Sequence, residues 1–484
     1  MAVKRIWISA DHGLAVVYFL QSDVVPTLLA GGAEVVVLTD DGLVEQITRR
    51  FGQPGLVVEG LRFKQVHAYE QHDRDLQWWL QFLRRVGGSR RINTEAMDSY
   101  IRQVAVEESN RRRVLMPLAW AAILGLRYSS ALRRRLVKFQ QRYSPRLYAD
   151  LFERLPPDLV IASTPGWRSD RYLLREAAAR QVKTAAVVVG WDNPSSYSLP
   201  GAPVDWITCW SEIQKRELVG GSDWPADRVH VGGIPSYDGY FSRQWLIPRA
   251  DYVQMHGLDP QRKLIAYASS FVSYYPNYQN IEALAKLVSE DRLVEPCQLL
   301  VRLHPNHFWS NPLYSGERER VGQLAQRLPH VHVVEPVPLG GELGYYSGED
   351  MPEKTSMMAY ADVFTTVYST MVVETAIHER PIVSVCIDIP GGWNTPRKYS
   401  LPLTEIGSWP THARFREAGA GKVATSLDGL RLVLDDYLRH PEEDMERARQ
   451  FVRRECTYTD GRAGRRTGEF LLSLLDKPKP GAWQ

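Results

Sequence analysis

At 484 residues the chain is too long to close around one hydrophobic core, and two domains are expected. Its 44% hydrophobic and 24% charged residues are those of a folded, water-soluble protein, and a net charge of +3 is too small to argue for nucleic acid while leaving room for an acidic or phosphorylated substrate. Cys209, Cys297, Cys386 and Cys456 lie far apart without zinc-site or disulfide-framework spacing, so free thiols in a reducing compartment are expected.

The opening MAVKRIWISADHG reads as a strand and a loop, lacking the apolar core and cleavage site of a signal peptide. No apolar run approaches the ~20 residues that span a bilayer, and a cytoplasmic protein is expected. RIWISA (5–10) ends in Asp11–His12–Gly13, a helix-period stretch AVVYFLQSDVVPTLLAGG follows, and AEVVVLTDDG (33–42) is a second buried strand. Strand, helix and strand at this spacing make a βαβ unit with parallel strands. The pattern returns at PPDLVIASTPG (156–166), VKTAAVVVGWDN (182–193), WITCWSEIQKREL (206–218) and DRVHVGGIPSYD (227–238). A second series follows: LIAYASSF (264–271), CQLLVRLHP (297–305), VHVVEPV (331–337), ADVFTTVYS (361–369) and PIVSVCID (381–388).

The expected fold is therefore α/β, with two Rossmann-like, doubly wound domains facing across a cleft. The domains are 1–240, with a helical, arginine-rich insert over about 68–150, and 241–460; a C-terminal helix and tail, 461–484, packs back on the first. Within the insert, VLMPLAWAAILGL (114–126) lies between Arg111–Arg113 and Arg133–Arg135. It reads as a buried helix with a basic, solvated end, because Pro117 and Gly125 interrupt it and the apolar run is short. The alternative is peripheral membrane contact through 111–135.

Ligands of open parallel sheets bind at the carboxyl ends of the strands, where helix N-termini offer free N–H groups. In the second domain those ends carry Ser269–Ser270, Arg302 with His304 in RLHPNH, and Ser369–Thr370 with Glu374 one turn further on. A cation, an imidazole and hydroxyls at a helix start suit a phosphate, and Glu374 suits a ribose diol. N-capping explains one hydroxyl but not Glu374. Walker, GxGxxG, HExxH and GxSxG sequences are absent, which counts against kinase, dinucleotide dehydrogenase, zinc protease and hydrolase readings.

These residues resemble those of the GT-B glycosyltransferases. The HP motif with a downstream Ser/Thr pair is similar to enzymes of cytidine-linked donors, the CDP-glycerol glycerophosphotransferases and the bacterial sialyl- and Kdo-transferases. ETAIHERPIVSV (374–385) resembles the wider GT-B pattern in which the Glu holds the donor ribose. GWDNPSS (190–196), WSEIQKREL, VGGIPSYDGYF and DGRAGRR (460–466) are similar to a family of bacterial surface-polysaccharide transferases. The resemblance implies that His304 meets the nucleotide or its phosphate, that Ser369 and Thr370 meet the phosphate, and that Glu374 meets the ribose. Retaining GT-B enzymes of the commonest type carry a second Glu where this chain has Thr366, a departure that counts against that subclass and leaves stereochemistry open.

On the acceptor side His12, beside Asp11, is a candidate general base or a loop histidine bonded to backbone. Asp192 and Asn193 are a second candidate pair, and Trp191 either stacks on a sugar or packs. The resemblance implies a metal-independent transferase that uses a CDP/CMP- or UDP-linked donor as substrate, with no other cofactor. The acceptor is a cell-surface glycan or lipid-linked hydroxyl, and nucleic acid is not an expected partner. An isomerase like the non-hydrolysing UDP-N-acetylglucosamine 2-epimerases is the first rival, with the long insert counting against it. A non-catalytic nucleotide or glycan binder is the second.

Overall fold

A computed structural model of the chain describes residues 3–108, 110–270, 277–308, 312–341, 347–387 and 401–481. Phe271 and Asp388, which end two of the expected strand stretches, lie outside the described residues. The chain divides into two compact units, one of Met1–Asp238, Gly340–Leu343 and Cys456–Gln484, the other of Gly239–Leu339 and Gly344–Glu455.

The first unit is built on a parallel sheet of seven strands: β1 (Arg5–Ser9), β2 (Glu34–Thr39), β3 (Leu56–Gly60), β4 (Leu159–Ala162), β5 (Lys183–Val187), β6 (Trp206–Cys209) and β7 (Val229–Val231). Their order is β3-β2-β1-β4-β5-β6-β7. The central strands are near-continuous apolar runs because both faces of a parallel sheet are covered by helices; every residue of β4 and β6 is buried. Pairing of Ile6 with Leu159 and of Arg5 with Glu34 puts β1 between β2 and β4. The winding reverses between β1 and β4, which makes that pair of strand ends the switch point.

The second unit repeats the plan with six parallel strands: β8 (Lys263–Ala268), β9 (Cys297–Arg302), β10 (Val331–Val334), β11 (Val363–Thr366), β12 (Ile382–Val385) and β13 (Lys422–Ala424). The order is β10-β9-β8-β11-β12-β13, so the switch point falls between β8 and β11, paired from Val363 with Ile265 to Thr366 with Ala268. The two doubly wound sheets are the fold that the patterning predicts.

Two local details differ from the sequence reading. The apolar stretch after β1 is two helices, Gly13–Leu20 and Val24–Ala30. The break is made by Ser22, whose Oγ donates to the Tyr18 carbonyl at 2.5 Å and accepts from the Val24 N–H at 3.2 Å. Between β3 and β4 stand six helices, among them Arg74–Val86, Glu95–Glu107, Asn110–Tyr128 and Ser130–Gln140. They have their own core of Phe82, Val86, Met97, Ile101, Val104, Met116, Ala119 and Ile123. Pro117 does not end the helix Asn110–Tyr128, and only one face of that helix enters this core.

Candidate functional site

At the switch point of the first sheet the chain leaves β1 through Asp11 and His12 and enters a helix at Gly13. His12 takes the N-cap position in extended backbone but makes no cap bond with its side chain. The ring instead turns to its neighbour: Nδ1 lies 2.7 Å from Asp11 Oδ1. Ser163, at the end of β4, donates its hydroxyl to the same oxygen at 2.5 Å, and Arg168 Nε stands 3.6 Å from Asp11 Oδ2. Burial alone would raise the Asp11 carboxyl, yet the charges of His12 and Arg168 and the bonds from His12 and Ser163 bring it down to about 2. Burial, then Arg168, depress His12 below its ordinary value against the pull of Asp11. His12 is therefore neutral at pH 7. A carboxylate can only accept, so Nδ1 carries the proton and Nε2 the lone pair. Nε2 makes no hydrogen bond among the described residues, and the side chain keeps 7% of its surface. Among the described residues the His12 ring makes no bond to backbone.

Asp170 stands near the same edge, but its oxygens accept from the Thr164 N–H and hydroxyl and from the Arg168 N–H. Burial and then the Asp11 charge push its carboxyl up to about 8 against those donors.

The second acceptor-side pair is placed elsewhere. Asp192 and Asn193 follow β5, two strands from β1, roughly 9–10 Å away between strand axes. Asn193 Oδ1 accepts from the Gly190 N–H at 2.8 Å, and Gln214 Nε2 holds the Gly190 and Trp191 carbonyls at 3.1 and 3.0 Å. Asn193 thus has a loop-holding task. Burial raises the Asp192 carboxyl, with Ser196 bonding to it. Trp191 is 1% exposed, so packing, not stacking on a sugar, is the role its burial fits.

In the second unit three adjacent strand ends, β9, β8 and β11, carry the residues singled out in sequence. Ser270 Oγ, after β8, donates to the Val367 carbonyl after β11 at 2.7 Å, which ties the two sides of the switch point together. Thr366, at the position where a second Glu is absent, bonds the Ala268 carbonyl at 2.8 Å. Tyr368 holds φ at +36°, an uncommon value for a residue with a side chain, and Ser369 Oγ accepts from the Met371 N–H at 3.3 Å as the next helix, Met371–Ile377, begins. Thr370 takes the N-cap position without a side-chain bond. The hydroxyl of Ser269 is buried with no hydrogen-bond partner among the described residues, and so are both ends of the Asn306 carboxamide.

Glu374 is buried, and both its contacts fall on one oxygen. Oε2 accepts from the Tyr240 hydroxyl at 2.6 Å and pairs with Lys354 Nζ at 2.5 Å. Oε1 makes no hydrogen bond among the described residues. His304, on the β9 loop, accepts at Nδ1 from the Asn306 N–H at 3.2 Å. Burial, then the His307 and Arg302 charges, lower it to about 3, so it too is neutral at pH 7. Arg302 requires a correction. Its guanidinium is buried and paired with Asp350 and Glu353, so it braces the end of β9 from within instead of gripping a phosphate directly.

Sequence reasoning missed most of these partners. Glu317 is the clearest case: buried, it accepts from the Asn277 and Tyr278 N–H groups at 2.5 and 2.7 Å and from His307 Nε2 at 3.0 Å. It thereby fixes the RLHPNH loop to the start of the helix Tyr278–Ser289. Lys354 and Tyr240 come from helices distant in sequence, and no local pattern announces them. Arg168 and Ser163 follow a strand end and were findable by the rule that located His12.

No family model matches this chain, and no curated protein matches it in sequence. Among solved structures it is similar to the UDP-GlcNAc 2-epimerase of Neisseria meningitidis bound to UDP-GlcNAc, at 12% identity over 97% of this chain and 100% of that one, TM-score 0.52. A second structure of UDP-N-acetylglucosamine 2-epimerase gives 13% identity, coverage of 100% and 99%, and TM-score 0.51. The S. aureus MnaA–UDP co-structure gives 12%, 96% and 94%, and 0.50. At such identities the likeness shows the fold, the two-domain Rossmann-like GT-B architecture shared by glycosyltransferases and these epimerases.

Proposed function

We propose that this protein is a GT-B-type glycosyltransferase, or a glycerophosphotransferase of the same fold, acting from a nucleotide-linked donor on an acceptor hydroxyl. The observation that carries the reading is the Asp11–His12 dyad, with a neutral imidazole and an open Nε2 at the carboxyl edge of the first sheet. His12 takes the proton of the acceptor hydroxyl, and the oxygen attacks the activated carbon or phosphorus. The bond to the nucleotide phosphate breaks, and the nucleotide leaves with the electron pair. In the second unit Glu374 Oε1 receives the ribose, Ser369 and Thr370 the phosphate, and His304 the nucleotide or its phosphate. The buried polar atoms of Ser269 and Asn306, unpartnered among the described residues, support the same strand ends as a place for a polar ligand. The similar structures that carry UDP-GlcNAc or UDP lend support to a pyrimidine nucleotide, cytidine or uridine. The acceptor we assign is a surface glycan or lipid-linked hydroxyl, and the setting cytoplasmic, in keeping with four buried cysteines that form no disulfide among the described residues. The reaction is proposed as metal-independent, so a chelator should leave turnover unchanged.

The 2-epimerase reading has one observation in its favour, the convergence of two carboxylates, Asp11 and Asp170, at the first switch point. The full hydrogen bonding of Asp170 weighs against it as a base. The test is calorimetric titration with CMP, CDP, UMP, UDP, GDP and ADP on the native chain, Glu374→Ala and His304→Ala, followed by incubation with the matching nucleotide sugar. One base bound and lost in both variants, with nucleotide released only when acceptor glycan is added, supports the transferase. Interconversion of UDP-GlcNAc with its 2-epimer without acceptor replaces it by the isomerase, and no nucleotide binding at all removes both.

A further inference from the structure

From Val114 to Leu126 the chain contains no charged or hydrogen-bonding aliphatic side chain, and it is helical throughout. Such a helix is ordinarily buried all round. Here it is not. Met116, Ala119 and Ile123 enter the core of the insert, while the opposite arc faces outward: Val114 is 77% and Leu118 71% exposed, and Leu115, Trp120 and Leu124 stand beside them. Exposed apolar residues scattered singly need no explanation, but a continuous helical face does.

The surroundings say what covers it. Residues 110–142 contain eight arginines, one lysine and no acidic residue. Arg112, Arg127 and Arg133 are paired with Asp75 and Glu108, with Asp98, and with Asp223. Arg111, Arg113, Arg134, Arg135, Lys138 and Arg142 have no carboxylate partner among the described residues. They bracket the apolar face: Arg111 and Arg113 at its start, the others on the helix Ser130–Gln140 and just beyond it. Beside that second helix lies a hollow of about 580 Å³ lined by Arg134, Arg135, Lys138, Gln181 and Lys479. Thr184 opens this hollow near the start of β5 and Asp205 precedes β6, so it lies at the amino edge of the first sheet, away from the His12 edge.

We propose that this surface docks the protein on an anionic lipid bilayer, the helix Asn110–Tyr128 lying in the interface with its outer face in hydrocarbon and the flanking cations on lipid phosphates. An aliphatic face needs a hydrocarbon partner, which a nucleic acid does not offer. A second copy of the chain would bring like cations against like cations. An anionic bilayer satisfies both halves of the surface at once, since interfacial helices combine an apolar face with flanking Lys and Arg. This docking requires no spanning segment, and no single described helix is long and apolar enough to cross a membrane. This inference stands independently of the transferase reading.

The test is co-sedimentation of the full chain with vesicles of phosphatidylcholine alone or with about one-third phosphatidylglycerol. Binding only to the anionic vesicles, weakening as sodium chloride rises, is expected. Arg134→Ser/Arg135→Ser/Lys138→Ser should weaken it on the order of a hundredfold. Leu118→Asp/Leu124→Asp should weaken it at least as much. Melting curves of the first variant, which touches only surface side chains, should match the native chain and so separate lost docking from lost folding. No binding, equal binding to both vesicle types, or binding that survives both variants overturns the proposal. A dimer in sedimentation velocity that Leu118→Asp/Leu124→Asp dissociates also overturns it, by making a second copy the occupant.

Discussion

A histidine serves as a base at neutral pH only if it is neutral there and if the nitrogen facing substrate holds the lone pair. At His12 the first condition comes from burial and Arg168, the second from Asp11. Replacing His12 by Gln should lower turnover on the order of 10²–10⁴-fold while leaving nucleotide affinity intact. The acid limb of kcat/KM should lie below pH 6.5, because the base form is lost as pH falls through the depressed pKa. Arg168→Gln removes the cation that helps depress it, so the limb should move up toward 6.5. Asp11→Asn removes the charge that opposes the depression, so the limb should move down as the rate drops. A pH–rate series on the three proteins checks the directions, and an unmoved limb in Arg168→Gln would remove His12 from the assignment. Position was legible here because a strand ending in Asp-His-Gly must put those side chains at a carboxyl edge. Protonation was not, because it depends on Arg168, which only the fold brings within 3.6 Å of Asp11. Arg302 shows the converse: its place was legible, its partners were not. Asp350 and Glu353 lie some fifty residues on, and nothing in the sequence around them announces a meeting with the end of β9. Arg302→Met should accordingly act first on stability, taking the cation from the buried Asp350 and the half-buried Glu353 at a cost of about 3–5 kcal/mol. Equilibrium denaturation of that variant reads it directly.

Among the elements, long apolar strands announced themselves and edges did not. β3 is half-exposed along its length and β13 has three residues, so neither shows the buried run that marks β4 or β9. The helix Ala463–Asp476 owes its start to Asp238, whose carboxylate accepts from the Ala463 and Gly464 N–H groups at 3.0 and 2.7 Å. It then lies against the helix Val24–Ala30 with glycine at the closest approach. A Cβ on Gly468 would sit 2.6 Å from Thr27 Cβ and 3.1 Å from the Val24 carbonyl oxygen. A Cβ on Gly322, inside the helix Pro312–Arg327, would meet nothing within 4 Å. Alanine gains about 1 kcal/mol over glycine in a helix interior, and overpacking costs about 1–3 kcal/mol. Gly322→Ala should therefore stabilise the second unit by about 1 kcal/mol. Gly468→Ala should destabilise the first by a similar amount, since carbonyl and Cβ are not the yielding ends of flexible side chains. Opposite shifts in denaturation midpoint are the expected result. Equal shifts would mean that propensity alone decides and that these two helices are not in close contact at Gly468.

At the scale of the whole molecule, the depressed histidines make stability a function of pH. Burial holds His304 and His412 at about 3 and His230 and His378 at about 4, with His12 lowered as well. In the unfolded chain each takes up a proton near 6.5, so below that pH the unfolded state binds more protons and stability falls until the folded pKa is reached. Three carboxyls act in the opposite sense: Asp192, raised by burial, Asp238, raised to about 6, and Asp170, raised to about 8, contribute stability that is present at low pH and lost as pH rises through their folded values. Each titrating group contributes a slope of at most about 1.4 kcal/mol per pH unit. Between pH 6 and 4 these histidines, joined by His332, outnumber the three carboxyls, so the histidines win and the melting temperature should fall steadily from near-neutral pH downward. Below the ordinary aspartate pKa of 3.8 the fall should continue, because Asp11, held at about 2, loses its contribution there as His230 and His378 reach their folded values and cease to add to the slope. His412 offers the cleanest single check, being buried, outside the proposed site, and lowered by burial and Arg414. His412→Gln removes one proton uptake from the unfolded-state side, so its melting temperature should depend less on pH between 6 and 4 than that of the native chain. Parallel curves for the two proteins would show that His412 titrates alike in the folded and unfolded chains, and a native curve that is flat from pH 7 to 5 would say the same of the group as a whole.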